Sequence, residues 1–244
     1  MGLINNWVKI QGINIHFIET SLETTNNEIP LVIIPGLSES AEDYIHIMEA
    51  LLPRKCVAIT LRGRGKSDAP QIGYTLEDHI GDIESVVNHL DLKEFILMGF
   101  SRGVSYALGF TFANLNLVKG LVLGDYPAFH SQLPIGWVEF FSGLPPWRGK
   151  ELNERMTTNS LKALQNESRQ VLFWDELTSI KFPVLIIRGG QQGAVLSKED
   201  GDRYIEMIPN SKLVLFDESN HNIFEPSLEK FIITIKDFFE TVEG

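Results

Sequence analysis

Short runs of apolar, largely β-branched residues alternate with longer segments of helical periodicity along most of the 244-residue chain. Strands that are buried on both faces read as continuous apolar runs, and parallel neighbours are joined by crossovers that are usually helices. The alternation therefore predicts an α/β fold with a mostly parallel sheet covered by helices on both faces. Strands are predicted at Trp7–Ile10, Ile13–Ile18, Leu31–Ile34, Cys56–Leu61, Phe95–Gly99, Val118–Leu123, Val184–Arg188 and Leu213–Phe216, and helices at Ala41–Leu52, Thr75–Leu90, Arg102–Ala113, Lys198–Ile208 and Leu228–Val242.

The segment from Tyr126 to about Leu177 interrupts this alternation, because no strand is evident in it. It contains three of the four tryptophans of the chain. We interpret it as a short helical insertion that lies over the sheet, so that residues 1–125 and 178–244 form the core and residues 126–177 form the insertion between the sixth and seventh strands. Its large aromatic residues are Trp137, Phe140, Phe141, Trp147 and Trp174.

Composition and charge restrict the surroundings in which this chain works. The formal net charge is −11, and an acidic surface repels phosphate backbones, so no nucleic acid partner is expected. No apolar stretch approaches the roughly 18 residues of a membrane span, and the N-terminus lacks the pattern of a signal peptide. Cys56 is the only cysteine, so no internal disulfide can form. These features favour a cytoplasmic location without membrane contact.

The run Gly99-Phe100-Ser101-Arg102-Gly103 has the pattern G-x-S-x-G. The pattern alone is common, but here it follows a predicted strand and opens a predicted helix, which is the setting of a nucleophile elbow. Glycines at its two ends relieve the crowding of so sharp a turn. The turn then exposes the Ser101 hydroxyl at the carboxyl edge of the sheet, which makes Ser101 the candidate nucleophile. A serine that only caps the following helix is the alternative.

Two further features lie at the same sheet edge. His221 follows the last predicted strand, and a histidine provides the base of near-neutral pKa that a serine hydroxyl needs before it can attack. A solvated loop histidine is the alternative. Pro35-Gly36 ends the third strand, where a glycine lets the backbone approach a carbonyl oxygen. The amides of Leu37 and Arg102 are therefore the candidate oxyanion donors.

Four features, taken in their order along the chain, resemble the α/β-hydrolase superfamily, and the resemblance extends from about Trp7 to Phe239. The likeness is greatest to its small intracellular esterase-like and lactonase-like members. It implies the α/β-hydrolase fold with an eight-stranded sheet, and a helical lid in the place that the insertion occupies. The features are Pro35-Gly36 after the third strand, the run Arg62-Gly63-Arg64-Gly65-Lys66-Ser67 after the fourth, the Gly99–Gly103 elbow, and His221 near the end.

The resemblance also implies a catalytic acid, and here the chain departs from the pattern. The usual position after the seventh strand reads Gly189-Gly190-Gln191-Gln192-Gly193, without a carboxylate. Some members of the superfamily carry the acid after the sixth strand, where Asp125 stands, although an aspartate there can also serve only to shape the loop. Glu199 and Asp200 lie within a predicted helix, and Asp217 shares the loop of His221. A glutamine or a water that orients the imidazole is another alternative.

The residues predict a serine hydrolase with Ser101 as nucleophile, His221 as general base and Asp125 as the candidate acid. It would cleave a carboxylic ester, thioester or lactone of a small, partly apolar molecule through an acyl-enzyme, with no cofactor and no metal. The expected partner is this small-molecule substrate, and the chain is expected to be a monomer or a homodimer. Two alternatives stay open. One is a carbon–carbon bond hydrolase or lyase on the same fold, and the other is a ligand-binding sensor with slow turnover, which the missing acid after the seventh strand favours.

Overall fold

All the strands and helices predicted from the sequence are present in the computed structural model, which describes residues 2–21 and 28–244. The first two strands run longer than predicted, and the helix expected from Ala41 begins as a 3₁₀ turn over Ala41–Tyr44. The strands are β1 Gly2–Ile10, β2 Ile13–Ser21, β3 Leu31–Ile34, β4 Cys56–Ile59, β5 Phe95–Phe100, β6 Val118–Gly124, β7 Phe129–His130, β8 Val171–Leu172, β9 Val184–Gly189 and β10 Ser211–Phe216. The α-helices are α1 Ile45–Ala50, α2 Leu76–His89, α3 Gly103–Ala113, α4 Trp137–Ser142, α5 Leu152–Arg155, α6 Thr158–Glu167, α7 Lys198–Met207 and α8 Leu228–Glu243.

Eight strands form one sheet in the order β1-β2-β4-β3-β5-β6-β9-β10. The pairs β1–β2 and β2–β4 are antiparallel, and all the other pairs are parallel. This confirms the predicted mostly parallel sheet. The parallel strands point their carboxyl ends to one edge, so the segments that follow β3, β5, β6, β9 and β10 meet there.

Residues along each central strand alternate between two apolar cores, one on each face of the sheet. In β3, Val32 and Ile34 belong to the core that includes residues of α2, α3 and α7. Leu31 and Ile33 belong to the core that includes residues of α1 and α8. Helices therefore cover both faces, as predicted. Within the described part of the chain, no helix combines the length and the apolar composition that crossing a bilayer requires.

The insertion contains α4, α5 and α6, which enclose a small apolar cluster of their own. Tyr74 of the core reaches into that cluster, and its hydroxyl donates to Ser160 Oγ at 3.1 Å. The prediction that residues 126–177 contain no strand was wrong, because β7 and β8 pair there as a two-stranded antiparallel ribbon. Strands of two residues are too short to leave a periodic signal in the sequence.

Candidate active site

Ser101 occupies the sharp turn between β5 and α3. Its φ is +53°, a left-handed conformation that is strained for a residue with a side chain. Two backbone hydrogen bonds hold the turn: the Ser101 amide donates to Gly124 O at 2.8 Å, and the Val104 amide donates to Ser101 O at 2.9 Å. Hydrogen bonds to β6 and to the start of α3 therefore stabilise the strained backbone conformation of Ser101.

The two glycines of the elbow lie where no side chain fits. A Cβ at Gly99 would lie 2.7 Å from Gly103 O, and a Cβ at Gly103 would lie 2.4 Å from Ile34 O and 2.5 Å from Pro35 O. These contacts are with backbone atoms, which cannot rotate away. The glycines therefore let α3 approach the ends of β5 and β3, and this close approach sets the position of Ser101 beside the loop that follows β3.

The His221 imidazole bridges Ser101 and Asp125. Its Nε2 lies 2.8 Å from Ser101 Oγ, and its Nδ1 lies 2.7 Å from Asp125 Oδ2. The ring also stacks on Phe100, with centroids 5.1 Å apart, and only 19% of the His221 side chain is exposed. Segments that follow β5, β6 and β10 thus bring together three side chains that are 24 to 120 positions apart in the sequence. In this arrangement, the Asp125 carboxylate orients the His221 imidazole toward the Ser101 hydroxyl.

Asp125 is fully buried and its carboxylate is held by backbone amides. Oδ1 accepts from Gly189 N at 3.0 Å and from Leu196 N at 3.4 Å, and Oδ2 accepts from Val195 N at 2.8 Å. The loop after β9 therefore contributes amide donors to a carboxylate that follows β6. Burying a carboxylate costs free energy unless donors of this kind compensate it.

The other acids and the glutamine considered from the sequence make no hydrogen bond with His221 in the described residues. Asp217 forms an exposed ion pair with Lys230 at 2.8 Å, and Gln191 Nε2 donates to Asp217 O at 2.6 Å. Asp200 contacts Ser197 at the start of α7, and Glu199 is exposed on the same helix. In the described residues, no group of three or more His, Cys, Asp or Glu side chains could hold a metal ion.

The amides of Leu37 and Arg102 flank the Ser101 turn. Leu37 follows β3, and Arg102 stands at the N-cap of α3. Neither amide donates to an acceptor within residues 2–21 and 28–244. Arg64 Nε donates to Leu37 O at 2.8 Å and so fixes the loop that carries the Leu37 amide. Both N–H groups therefore remain available as hydrogen-bond donors beside Ser101.

Two buried arginines lie near these amides, and neither contacts a carboxylate within the described residues. Arg64 and Arg102 share the Tyr106 hydroxyl, at 3.5 Å and 3.1 Å respectively. Arg64 also contacts His79 Nε2 at 2.8 Å, and Arg102 contacts His130 Nε2 at 2.9 Å. Burial and the neighbouring arginines lower the pKa of His130 to about 2 and hold that of His79 well below its usual value. Both imidazoles are therefore neutral at pH 7, and the positive charge of the arginines stays uncancelled.

A cavity of about 290 Å³ opens beside Ser101 and His221, between the core and the insertion. The loop after β3 forms one wall, and the insertion forms the other with mostly apolar side chains. The lining residues are Gly36, Leu37, Ser38, Glu39, Phe100, Ser101 and His221 from the core, and Phe141, Leu144, Pro145, Pro146, Trp147 and Arg155 from the insertion.

The aromatic residues of the insertion divide into two groups. Phe141 and Trp147 line the cavity, and Trp137 stacks on Phe141 with ring centroids 4.7 Å apart. Phe140 is 66% exposed, whereas Trp174 is buried and packs elsewhere. Phe141 and Trp147 therefore shape the cavity, whereas Phe140 and Trp174 do not line it.

Glu39 is a buried residue of the cavity wall that the sequence did not indicate. Its Oε1 accepts from Trp147 Nε1 at 2.7 Å and from Arg148 at 3.2 Å. Its Oε2 accepts from the Gly36 amide at 2.9 Å and from the Tyr44 hydroxyl at 2.7 Å. Two of the four partners of Glu39, Trp147 and Arg148, come from a segment more than a hundred residues away, so no local pattern could have shown its contact with the insertion.

Comparisons with known proteins agree with this architecture. A family model described as the alpha/beta hydrolase fold matches residues 29–123. The AB hydrolase superfamily protein YisY of Bacillus subtilis is 25% identical over 91% of this chain and 98% of its own length. Among solved structures, the esterase EaEST from Exiguobacterium antarcticum is 22% identical, with a TM-score of 0.79 over 97% of this chain and 100% of its own. The esterase RhEst1 from Rhodococcus sp. has the same identity and TM-score over 99% of this chain and 100% of its own. The chain has the alpha/beta hydrolase fold.

Proposed function

We propose that this chain is a serine hydrolase that cleaves a carboxylic ester, thioester or lactone of a small, partly apolar substrate. The observation that carries the proposal is the contact series from Asp125 through His221 to Ser101, at 2.7 Å and 2.8 Å, on the wall of a cavity. The names of the two esterases with the same fold support the same reaction class.

The roles of the three side chains follow from the hydrogen-bond geometry. Asp125 accepts a hydrogen bond from the Nδ1–H of His221, which leaves the Nε2 lone pair free to take the Ser101 proton. Ser101 Oγ attacks the substrate carbonyl carbon as its proton passes to Nε2. The carbonyl oxygen becomes an oxyanion that accepts hydrogen bonds from the amides of Leu37 and Arg102, in the field of the two buried arginines.

The second half of the reaction uses the same groups. When the tetrahedral intermediate collapses, protonated His221 gives its proton to the departing alkoxide or thiolate, and the acyl group stays on Ser101. A water then gives a proton to His221 Nε2 and attacks the acyl carbon. Ser101 leaves with that proton, and the carboxylic acid is released.

The insertion has the role of a lid in this proposal, with residues 1–125 and 178–244 as the catalytic core. Its apolar residues wall the cavity opposite Ser101, so they exclude water and favour an apolar portion of the substrate. The cavity volume of about 290 Å³ limits the substrate to a small molecule.

The proposal is tested by 4-nitrophenyl acetate turnover in the native chain and in Ser101→Ala, with Ser179→Ala, an exposed serine, as the matched control. We expect Ser101→Ala to abolish turnover and the control to retain it. A serine-reactive phosphonate should label only the peptide that contains Ser101. Turnover that persists in Ser101→Ala would overturn the nucleophile assignment.

The alternatives predict other outcomes in the same experiment. A carbon–carbon bond hydrolase would cleave vinylogous diketones in preference to small esters. A sensor would bind the probe without releasing nitrophenol at a useful rate. The sensor alternative rested on the missing acid after the seventh strand, and no observation favours it once Asp125 lies against His221.

A further inference from the structure

We propose that Arg155 forms a carboxylate-binding subsite in the cavity, so that the natural substrate is a small ester, thioester or lactone that carries a free carboxylate. This inference rests on the proposed hydrolytic function and adds the chemical class of the substrate. It starts from a charged side chain that lines a mostly apolar cavity and forms no ion pair within the described residues.

Backbone contacts hold Arg155 in place at the end of α5. Its carbonyl oxygen accepts from the Gly65 amide at 3.3 Å, and the next residue, Met156, pairs with Arg64 in an isolated antiparallel bridge. Contacts with the core thus fix the backbone at Arg155 and at Met156. The half-buried guanidinium then reaches the cavity wall, where one terminal nitrogen donates to Ser38 Oγ.

The guanidinium has hydrogen-bonding capacity left over. Nε makes a long contact with Glu151 O at 3.4 Å, and the second terminal nitrogen has no acceptor in the described part of the chain. None of the ion pairs in that part includes Arg155. Burial lowers the pKa of the Arg155 guanidinium, which is the expected effect of desolvation with too little compensation, but an arginine stays charged at neutral pH.

Two of the four acids that act electrostatically on Arg155 are committed to other cations. Glu39 also lines the cavity, but its two oxygens accept from four donors, including Arg148 at 3.2 Å. Asp43 pairs with Lys150 at 2.5 Å. The other two, Glu151 and Glu154, are exposed at α5, where water screens their charge, so Arg155 keeps a positive charge at the cavity wall without an ion pair in the described part of the chain.

A carboxylate on the substrate is the ligand that completes this arrangement. The planar guanidinium matches a carboxylate in shape and charge, and the surrounding apolar walls strengthen the contact by excluding water. Leu144, Pro145 and Trp147 line the same cavity, so a short apolar chain between the carboxylate and the scissile carbonyl would fit there.

The test compares esters that differ only in charge. Monomethyl succinate and methyl butyrate place a carboxylate or a methyl group at the end of the acyl part. Acetoxyacetate and ethyl acetate do the same on the alcohol part. Proton release in a pH-stat gives kcat/KM for each ester. We expect one charged ester to exceed its neutral partner about tenfold or more, the range of a charge-assisted hydrogen bond, and Arg155→Gln to abolish that preference.

Arg169→Gln is the matched control, since it removes one exposed positive charge from the insertion away from the cavity. It should keep the preference for the charged ester. If the native chain hydrolyses neutral esters through Ser101 but prefers neither charged ester, the subsite is wrong and the hydrolytic function stands.

A binding measurement separates the subsite from the reaction. Trp147 lines the cavity, so tryptophan fluorescence of Ser101→Ala should report the binding of monomethyl succinate and of acetoxyacetate. The double variant Ser101→Ala, Arg155→Gln should bind the preferred ester at least tenfold more weakly. If the native chain hydrolyses no ester but this difference holds, the reaction is wrong and the subsite stands. Equal binding by both variants would overturn the subsite.

Discussion

Asp125→Asn tests whether the acid after β6 controls the tautomer of His221. The Asp125 carboxylate accepts four hydrogen bonds, two at each oxygen: Gly189 and Leu196 at Oδ1, and Val195 and His221 at Oδ2. An asparagine keeps one oxygen and replaces the other by an NH₂ group. Two of the four N–H donors therefore lose their acceptor.

The better asparagine rotamer keeps its oxygen toward the two amides at Oδ1 and turns its NH₂ group toward His221. The imidazole can then accept at Nδ1 only by carrying its proton on Nε2. That proton points at the Ser101 hydroxyl, so Nε2 no longer serves as a base. The corresponding substitution in a serine protease costs about 10⁴ in kcat, and about 5 kcal/mol of barrier is the equivalent free energy. We expect at least a hundredfold loss of kcat with 4-nitrophenyl acetate.

The same substitution removes the acceptor of the part-buried Val195 amide. A buried donor without an acceptor costs about 1–3 kcal/mol, and the lower end applies to a part-buried amide, so the melting temperature should fall by about 2–4 °C in a chain of this size. Circular dichroism at the assay temperature must show that the variant stays folded. The control is Asp217→Asn, which removes an exposed carboxylate from the His221 loop and should change kcat less than twofold. A folded Asp125→Asn variant within tenfold of the native kcat would refute the reasoning.

Three predictions concern stability. His79 and His130 have depressed pKa values in the folded chain and take up protons on unfolding. Below the unfolded pKa of about 6.5, each should therefore lower the free energy of unfolding by about 1.4 kcal/mol per pH unit. Urea titrations at two acidic pH values measure this slope, and His130→Asn should reduce it. Gly103→Ala places a Cβ 2.4 Å from a β3 carbonyl oxygen and should destabilise the folded chain by about 3 kcal/mol. Gly81 lies in α2, where a Cβ would meet its nearest atom at 3.6 Å, so Gly81→Ala should stabilise the folded chain by about 0.5–1 kcal/mol. Thermal melts measure both effects. Glu39→Gln breaks a buried ion pair and should cost about 3 kcal/mol in urea unfolding, and a loss under 1 kcal/mol would contradict the pairing.

The sequence predicted the parts of this molecule that local pattern determines. Apolar runs marked the parallel strands of the main sheet, and the predicted helix Thr75–Leu90 matches α2, whose N-cap Thr75 forms a capping box with Asp78. The Ser101 turn was also readable, because its strand–turn–helix context and its two glycines are consecutive in the chain. These features depend on interactions among neighbours, which a single sequence displays directly.

Contacts between segments that are distant in the sequence were harder to predict. Asp125 was only one of several candidate acids, because its role depends on amides 64 to 71 positions away in the loop after β9. Glu39 and Arg155 gave no signal at all. Their long-range contacts, Glu39 with Trp147 and Arg148 and Arg155 with Ser38, form only when the insertion folds against the loop after β3. Residue type alone does not distinguish these two side chains from ordinary surface charges.

The arrangement of Arg64 and Arg102 links the anchoring of the insertion to the electrostatics of the site. Arg64 holds Leu37 O while its backbone pairs with Met156, and Arg102 donates from its side chain to Ser131 Oγ at 2.6 Å while its amide flanks Ser101. A guanidinium suits this task, since it is long, stays charged when buried, and can be satisfied by carbonyls, hydroxyls and neutral imidazoles. A carboxylate partner would satisfy it equally well but would cancel its charge. Because none contacts either arginine in the described part of the chain, the residues that fasten the insertion also favour negative charge at the carbonyl oxygen that Ser101 would attack.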